Sequence, residues 1–355
     1  MLPSHSIIKR LPKADLHSHI DGSIPIKDLL GIAKKFKREI KTSDGHALKS
    51  AAAFSKFIRG EGYNYLLSNI AYRFSPITGL MQTEEIIREV GRIYVKKISE
   101  DGIIYAEGRI APQYHTKEGL TVDKVIKSLL EGLRAGSEET GTRANLIVAI
   151  GREITDDVAR KIVSIAIKYH QKGVVGIDLV GTEENNPPEK FLGSFSMTFG
   201  SGLKRTVHAG EGCKSIKDNI RNIGTSILFL RANGLGHAIH LPNDQKLMKL
   251  VKENGIRIES NPISNVVLGH VTNIRELKID RLLAHGIKVT INSDDPAIWP
   301  RGTLTDNFVE VCKAFGFRLT EVDALIMNSF KSAFIPSNEI ENLEEEYLTI
   351  RKRIR

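Results

Sequence analysis

Short apolar runs alternate with longer amphipathic segments from Ala14 to about Asn292. Several of the short runs are rich in β-branched residues and flanked by glycine, a pattern typical of buried parallel strands. The predicted strands are residues 13–20, 102–110, 144–150, 173–181, 204–210, 234–239, 255–260 and 286–293.

Between these runs, residues 83–100, 121–139 and 155–172 follow a helical pattern. Each segment opens with threonine, whose hydroxyl caps helix N-termini, and the first and third place acidic residues in the first turn. Eight strands with intervening helices predict an α/β fold, a (β/α)8 TIM barrel. The alternative, an open doubly wound sheet, would need a glycine-rich phosphate loop after its first strand, and HIDGSIP is not one.

Two further regions extend the predicted barrel. Residues 26–80 are predicted to form a mostly helical insertion after the first strand, and residues 303–355 a helical C-terminal extension. Because neither an internal repeat nor a linker interrupts the pattern, we expect a single domain over residues 1–355.

The composition is that of an ordinary folded protein: 355 residues, 41% hydrophobic and 26% charged. No segment approaches the roughly 18 uninterrupted apolar residues of a membrane span, and the N-terminus has no apolar stretch typical of a secretory signal, so we expect a cytoplasmic protein without membrane partners. The net charge of +9 raises the question of nucleic acid. Because the basic residues are mostly scattered and not interleaved with aromatic ones, we expect no nucleic-acid partner.

Candidate chemistry begins with the cysteines, of which there are only two, Cys213 and Cys312. A cysteine-based zinc site is therefore excluded, and any metal must be held by histidine and carboxylate. His17 and His19 lie two residues apart on the first predicted strand, so both point to one face, with Cα atoms roughly 7 Å apart. One metal ion could bridge them, although hydrogen-bonded core histidines fit the same pattern.

Further candidates lie at the C-terminal ends of predicted strands, where TIM barrels carry their active sites. They are His208, His237 and the adjacent Asp294 and Asp295. Glu211 follows His208 by three residues, and burial would raise its pKa toward neutrality, as suits a general acid. Taken singly, Glu211 also fits a carboxylate at a helix N-terminus, and the D-D-P sequence fits a turn.

Taken together, these residues favour a metal site. Histidine and aspartate are ligands that zinc accepts without cysteine. Strands one, five, six and eight meet at one point only in a closed barrel. The predicted fold and the predicted site therefore support each other and indicate a zinc hydrolase.

Six segments resemble the adenosine/adenine deaminase family of the amidohydrolase superfamily in order and spacing. They are LPKADLHSHIDGS, GIDLVGTE, TVHAGE, LGHAIHL, NPISN and NSDDP, between Leu11 and Trp299. The resemblance implies a hydrolase acting on the C–N bond of a cyclic amidine. Its expected reaction is the deamination of adenosine, and likewise of 2′-deoxyadenosine, to inosine and ammonia in purine salvage.

The resemblance also implies one Zn²⁺ per chain, and the ligands it points to are His17, His19, His208 and Asp294. Glu211 would protonate N1 of the purine. His237 would orient the attacking water, with Asp294 helping to accept its proton.

The resemblance also implies a set of substrate-binding residues. Asp295 would hydrogen-bond N7 of the purine, and the backbone N–H of Gly181 would meet N3. Asp21 would reach the ribose 5′-hydroxyl, with His19 close by. The expected partner is thus a small purine nucleoside.

Two segments bear on the choice of substrate. Asp21-Gly22 and D-L-V-G-T-E at 178–183 are closer to the adenosine type than to the adenine type. The alternatives are adenine, 5′-methylthioadenosine or an N6-substituted AMP. Ala238, Thr182 and Asn261 depart from the usual family pattern, and Asn261 in particular stands where cysteine is common.

Two other classes fit less well. A catalytically idle relative would be expected to have lost at least one of the site residues, and all are present. Binuclear amidohydrolases typically carry a lysine on the fourth strand, and GIDLVG has none. The histidines without a matching motif, His270 among them, are expected in surface or core roles, and Arg109 in a supporting one.

Overall fold

A computed structural model describes residues 2–59 and 70–354, and eight parallel strands form its sheet in the order β1 to β8. The strands are β1 (Lys13–His19), β2 (Ile103–Ile110), β3 (Arg143–Gly151), β4 (Val174–Val180), β5 (Lys204–Ala209), β6 (Gly234–His237), β7 (Arg257–Ser260) and β8 (Val289–Ile291). Each pairs in parallel with the next along the chain.

The ring closes between β8 and β1 through a parallel bridge of Ser18 with Asp294. Two backbone hydrogen bonds flank it, from Asp294 N to His17 O at 2.9 Å and from His19 N to Asp294 O at 2.8 Å. The predicted TIM barrel is confirmed. Its closure lies where β1 carries its two histidines.

Helices surround the strands. They are α1 (His5–Arg10), α2 (Ile26–Lys35), α3 (Ala51–Arg59), α4 (Ile70–Leu80), α5 (Glu84–Glu100), α6 (Val122–Thr140), α7 (Asp156–Lys168), α8 (Leu192–Ser196), α9 (Ile216–Leu228), α10 (Gln245–Glu253), α11 (Pro262–Val267), α12 (Ile279–Ala284), α13 (Leu304–Phe315), α14 (Leu319–Ser332) and α15 (Ser337–Arg351). Thr83, Thr121 and Thr155 cap α5, α6 and α7 through their hydroxyls, as predicted. Across the described ranges no helix has the length and apolarity needed to cross a membrane.

The insertion and the extension are helical where they are described. The insertion contains α2, α3 and α4, and its residues 60–69 lie outside the described residues, as does Arg355 at the end of the extension. The extension supplies α13 to α15. Arg257 Nη1 of β7 donates to the carbonyl of Ser332 at 2.7 Å, so the end of α14 is fixed to the barrel.

Candidate active site

Five polar side chains converge where the strands end. The donor atoms of His17, His208, His237 and Asp294 all lie within 4.8 Å of one another. His19 Nε2 joins them, at 3.3 Å from His208 Nε2 and 3.4 Å from Asp294 Oδ1. The barrel thus brings together residues from β1, β5, β6 and the end of β8, as the sequence predicts.

The spacing of these atoms fits a single metal ion. Ligands that bind one zinc tetrahedrally at 2.0–2.2 Å stand about 3.3 Å apart. The separations are 3.3 Å between His19 and His208, 3.4 Å between His19 and Asp294, and 3.5 Å between His17 Nε2 and Asp294 Oδ1. These three separations are compatible with His17, His19, His208 and Asp294 as candidate ligands of one ion.

The histidine rings are also oriented for a metal. His17 Nδ1 lies 2.7 Å from Glu259 Oε2, while its buried Nε2 has no hydrogen-bond partner among the described residues. His208 Nδ1 lies 3.0 Å from Asp178 Oδ2. A ring that donates Nδ1–H to a carboxylate presents the Nε2 lone pair, as metal-binding histidines do.

Burial and charge set the protonation states that metal ligands need. Burial lowers the pKa of His17 and, further, that of His19. Burial by itself would raise the pKa of Asp294, but the nearby His17 and the charge of His237 hold it well below its usual value. Neutral imidazoles beside an ionised carboxylate match the ligand states required for metal binding.

The backbone is strained where the site is formed. His237, Ala238 and Asp294 have φ values of 62°, 48° and 61°, in the left-handed region that non-glycine residues seldom adopt. Such conformations are costly and cluster at functional sites. At His237 this conformation coincides with the end of β6, which is two residues shorter than the apolar pattern predicts.

Glu211 lies against two histidines rather than in an apolar pocket. Its Oε2 is 3.0 Å from His237 Nδ1 and 3.7 Å from His270 Nε2. Burial raises the pKa of Glu211, but the charge of His237 outweighs it and lowers that pKa to about 2. Burial likewise lowers the pKa of His237, and Glu211 raises it to about 9.

One expectation is therefore wrong. The near-neutral pKa expected for Glu211 is not found, because the sequence places His237 at the same end of the barrel but cannot show that its ring faces the Glu211 carboxylate. His270, expected in a surface or core role, is half-buried and lies beside the candidate acid.

A buried charge network beneath the histidines was not foreseen from the sequence. Glu259 accepts hydrogen bonds from Arg109 Nη2 at 3.1 Å and Arg257 Nε at 2.8 Å, and Arg109 also bonds Asp178. Arg109 thus has the supporting position expected for it. The sequence does place charged residues within apolar strands. Because buried positions tolerate charged residues only when they are paired, such residues indicate buried ion pairs.

The candidate substrate-binding residues follow three strands at the same end of the barrel: Asp21 after β1, Gly181 after β4 and Asp295 after β8. Asp21 is buried, and that burial raises its pKa to about 6. Asp295 Oδ1 is buried without a hydrogen-bond partner in the described part of the chain. Gly181 follows β4 with φ of 95° and is exposed. Asn261, the departure from the family pattern, places its Nδ2 3.4 Å from His237 Nε2.

The absence of a side chain at Gly22 leaves the space that the Asp295 carboxylate occupies. A Cβ atom at residue 22 would lie 1.7 Å from Asp295 Oδ1. We therefore expect Gly22→Ala to displace Asp295 and raise KM at least about tenfold, an energy of about 1.4 kcal/mol, while the bound metal stays. Steady-state kinetics with metal analysis checks this. Gly31→Ala is the control, because a Cβ there meets nothing within 4 Å; equal KM values for both variants would contradict the assignment.

Known proteins resemble this chain over nearly its whole length. The family model for adenosine deaminase matches residues 12–349. An adenosine deaminase of Clostridium kluyveri is 33% identical over 97% of this chain and 96% of its own. An adenine deaminase of Crocosphaera subtropica is 32% identical over 95% and 98%.

A solved structure shares the architecture. The crystal structure of adenine deaminase from Arthrobacter aurescens superposes with a TM-score of 0.85 at 25% identity, covering 96% of this chain and 99% of that one. Family match, relatives and barrel all indicate a hydrolase that deaminates by acting on C–N bonds. The chain belongs to the adenosine deaminase family.

Proposed function

We propose that this protein is a zinc-dependent adenosine deaminase that converts adenosine, and likewise 2′-deoxyadenosine, to the 6-oxopurine and ammonia in purine salvage. The observation that carries the proposal is the convergence of the candidate ligands His17, His19, His208 and Asp294 with His237 and Glu211 beside them. Membership of a family that acts on small purines supports it.

One zinc ion held by His17, His19, His208 and Asp294 would supply a Lewis acid that activates water. The chain's own residues then move the protons. His237 lies among the candidate ligands and its Nδ1 is 3.0 Å from Glu211 Oε2, so the two groups share one proton, which rests on His237 before the substrate binds. Once Glu211 has passed that proton to N1 of the purine, the neutral His237 can take a proton from the attacking water.

The overall step balances through these two groups. The water oxygen forms a bond to C6, and the bond from C6 to the amino nitrogen breaks. One proton from water remains on N1, delivered by Glu211, and the other leaves with the amino group as ammonia. General acid–base catalysis of this kind contributes about 10²- to 10⁴-fold to a rate.

Residues that follow β8, β4 and β1 would hold the purine. The unpartnered Oδ1 of Asp295 would bond the N7 side of the base, and the N–H of Gly181 would meet N3. Asp21, buried on the turn after β1, would bond the ribose 5′-hydroxyl. Asp21-Gly22 and the segment D-L-V-G-T-E at 178–183 favour the nucleoside over the free base.

The competing substrate is adenine. A relative with that name is 32% identical and one named for adenosine is 33% identical, so overall similarity does not separate them. Adenine, 5′-methylthioadenosine and N6-methyl-AMP are therefore the comparison substrates.

The test is a parallel ultraviolet assay of the zinc-loaded protein on adenosine and these three compounds, with ammonia or methylamine release measured directly. We expect adenosine to give the highest kcat/KM and chelation to abolish it. Turnover of another compound with silence on adenosine would overturn the substrate assignment. Silence on all four with zinc bound would overturn the activity.

A further inference from the structure

The loop that carries Glu211 is held by one buried carboxylate. Glu183, on the segment after β4, accepts a hydrogen bond from Gly210 N at 2.9 Å. It also accepts from the backbone N–H groups of Glu211 and Gly212, each at 3.1 Å. Three consecutive amides around the candidate acid thus point at the same side chain.

The Glu183 carboxylate also accepts a hydrogen bond from a fourth donor. Asn222 Nδ2 of α9 donates to Glu183 Oε1 at 2.9 Å, and the Glu183 residue is only 3% exposed. Hydrogen bonds to an ionised acceptor are about twice as strong as neutral ones, and consecutive amides form a favoured anion cradle. A glutamine here would turn an N–H₂ group toward some of these donors and leave them unpaired.

The opposite end of the same segment is held by a cation. The buried Arg152 donates from Nη2 to the carbonyl of His208 at 2.6 Å and from Nη1 to the carbonyl of Asn186 at 2.5 Å. The segment from His208 to Glu211 therefore has its carbonyl end on a guanidinium and its amide end on a carboxylate. Both groups are buried, so water competes little with these bonds.

We infer that Glu183 is a positioning residue for Glu211. It fixes the backbone of residues 210–212 and so the direction in which the acid presents its carboxyl group to the purine. The inference rests on the proposed function, because it requires Glu211 to act on the substrate. Small displacements of a catalytic group are costly, since reacting atoms must be held close to the productive geometry.

The first test is Glu183→Gln. We expect kcat to fall about 10- to 100-fold, the range for outer partners of active groups, with zinc content unchanged. Amide hydrogen exchange of Gly210, Glu211 and Gly212 should become faster. Glu184→Gln is the matched control, because the side chain of the neighbouring Glu184 accepts from Lys214 N, outside residues 210–212, and the change should leave kcat and the exchange of those amides unchanged.

The second test separates positioning from general stability. In a Glu211→Gln background, Glu183→Gln should cost no further kcat, whereas a structural role would cost the same factor in both backgrounds. Should Glu183→Gln fail to fold, Glu183→Asp keeps the charge at a shorter reach and should give a partial loss of kcat and of amide protection.

The outcomes distinguish this inference from the proposed function. Wild-type kcat and exchange in Glu183→Gln, with Glu211→Gln inactive, would overturn the positioning role alone. Equal losses in the two backgrounds would do the same. Full turnover by Glu211→Gln would instead overturn the acid assignment on which both rest.

Discussion

His17→Ala is expected to lose bound zinc and turnover together. The ring is buried, its Nε2 faces the other ligands without a hydrogen-bond partner in the described chain, and Asp294 Oδ1 lies 3.5 Å away. Lewis-acid stabilisation is worth several kcal/mol, so kcat should fall roughly 10³-fold or more. Metal analysis of the purified variant, paired with an assay of ammonia release, measures both.

The control for this variant is another buried histidine. His115 is fully buried and contacts the carbonyl of Met81 at 3.1 Å, away from the ligand cluster. His115→Ala removes a comparable side chain and should keep one zinc per chain. If His17→Ala retained its zinc with wild-type affinity, the ligand set would be wrong.

Glu211→Gln is expected to separate metal binding from chemistry. The amide keeps the size of the side chain but cannot deliver a proton, so zinc content should stay the same while kcat falls about 10²- to 10⁴-fold. KM should change much less, because the groups proposed to hold the purine are untouched.

A second readout strengthens this test. Loss of the Glu211 carboxylate removes the charge that raises the pKa of His237, so that pKa should fall from about 9. Ring-proton titration of His237 by NMR follows this directly. A variant as active as the wild type would show that another group supplies the proton.

The sequence predicts the barrel well because its strands are apolar, short and regularly separated. The predicted bounds agree to within one residue for β1 to β5, whereas β6, β7 and β8 are shorter than predicted; β8 spans Val289–Ile291 against the predicted 286–293. The pattern of apolar residues cannot show that Asp294, three residues past the end of β8, takes a left-handed conformation with its carboxylate in the cluster.

The candidate ligands could be predicted because their residue types and strand positions are themselves the signal. The supporting groups could not, because their partners lie far away in the sequence. Glu259 contacts His17 across 242 residues, and Glu183 contacts Gly210 across 27. A lone carboxylate in a strand or loop does not reveal which ring or amide it will meet once the barrel closes.

We propose that one zinc ion, held by His17, His19, His208 and Asp294, drives deamination of a 6-aminopurine. The most direct measurement is a titration of metal-free protein with Zn²⁺ while ammonia release from adenosine is followed. We predict that the rate rises with added zinc and levels off at one ion per chain. Full turnover by the metal-free protein would contradict the account.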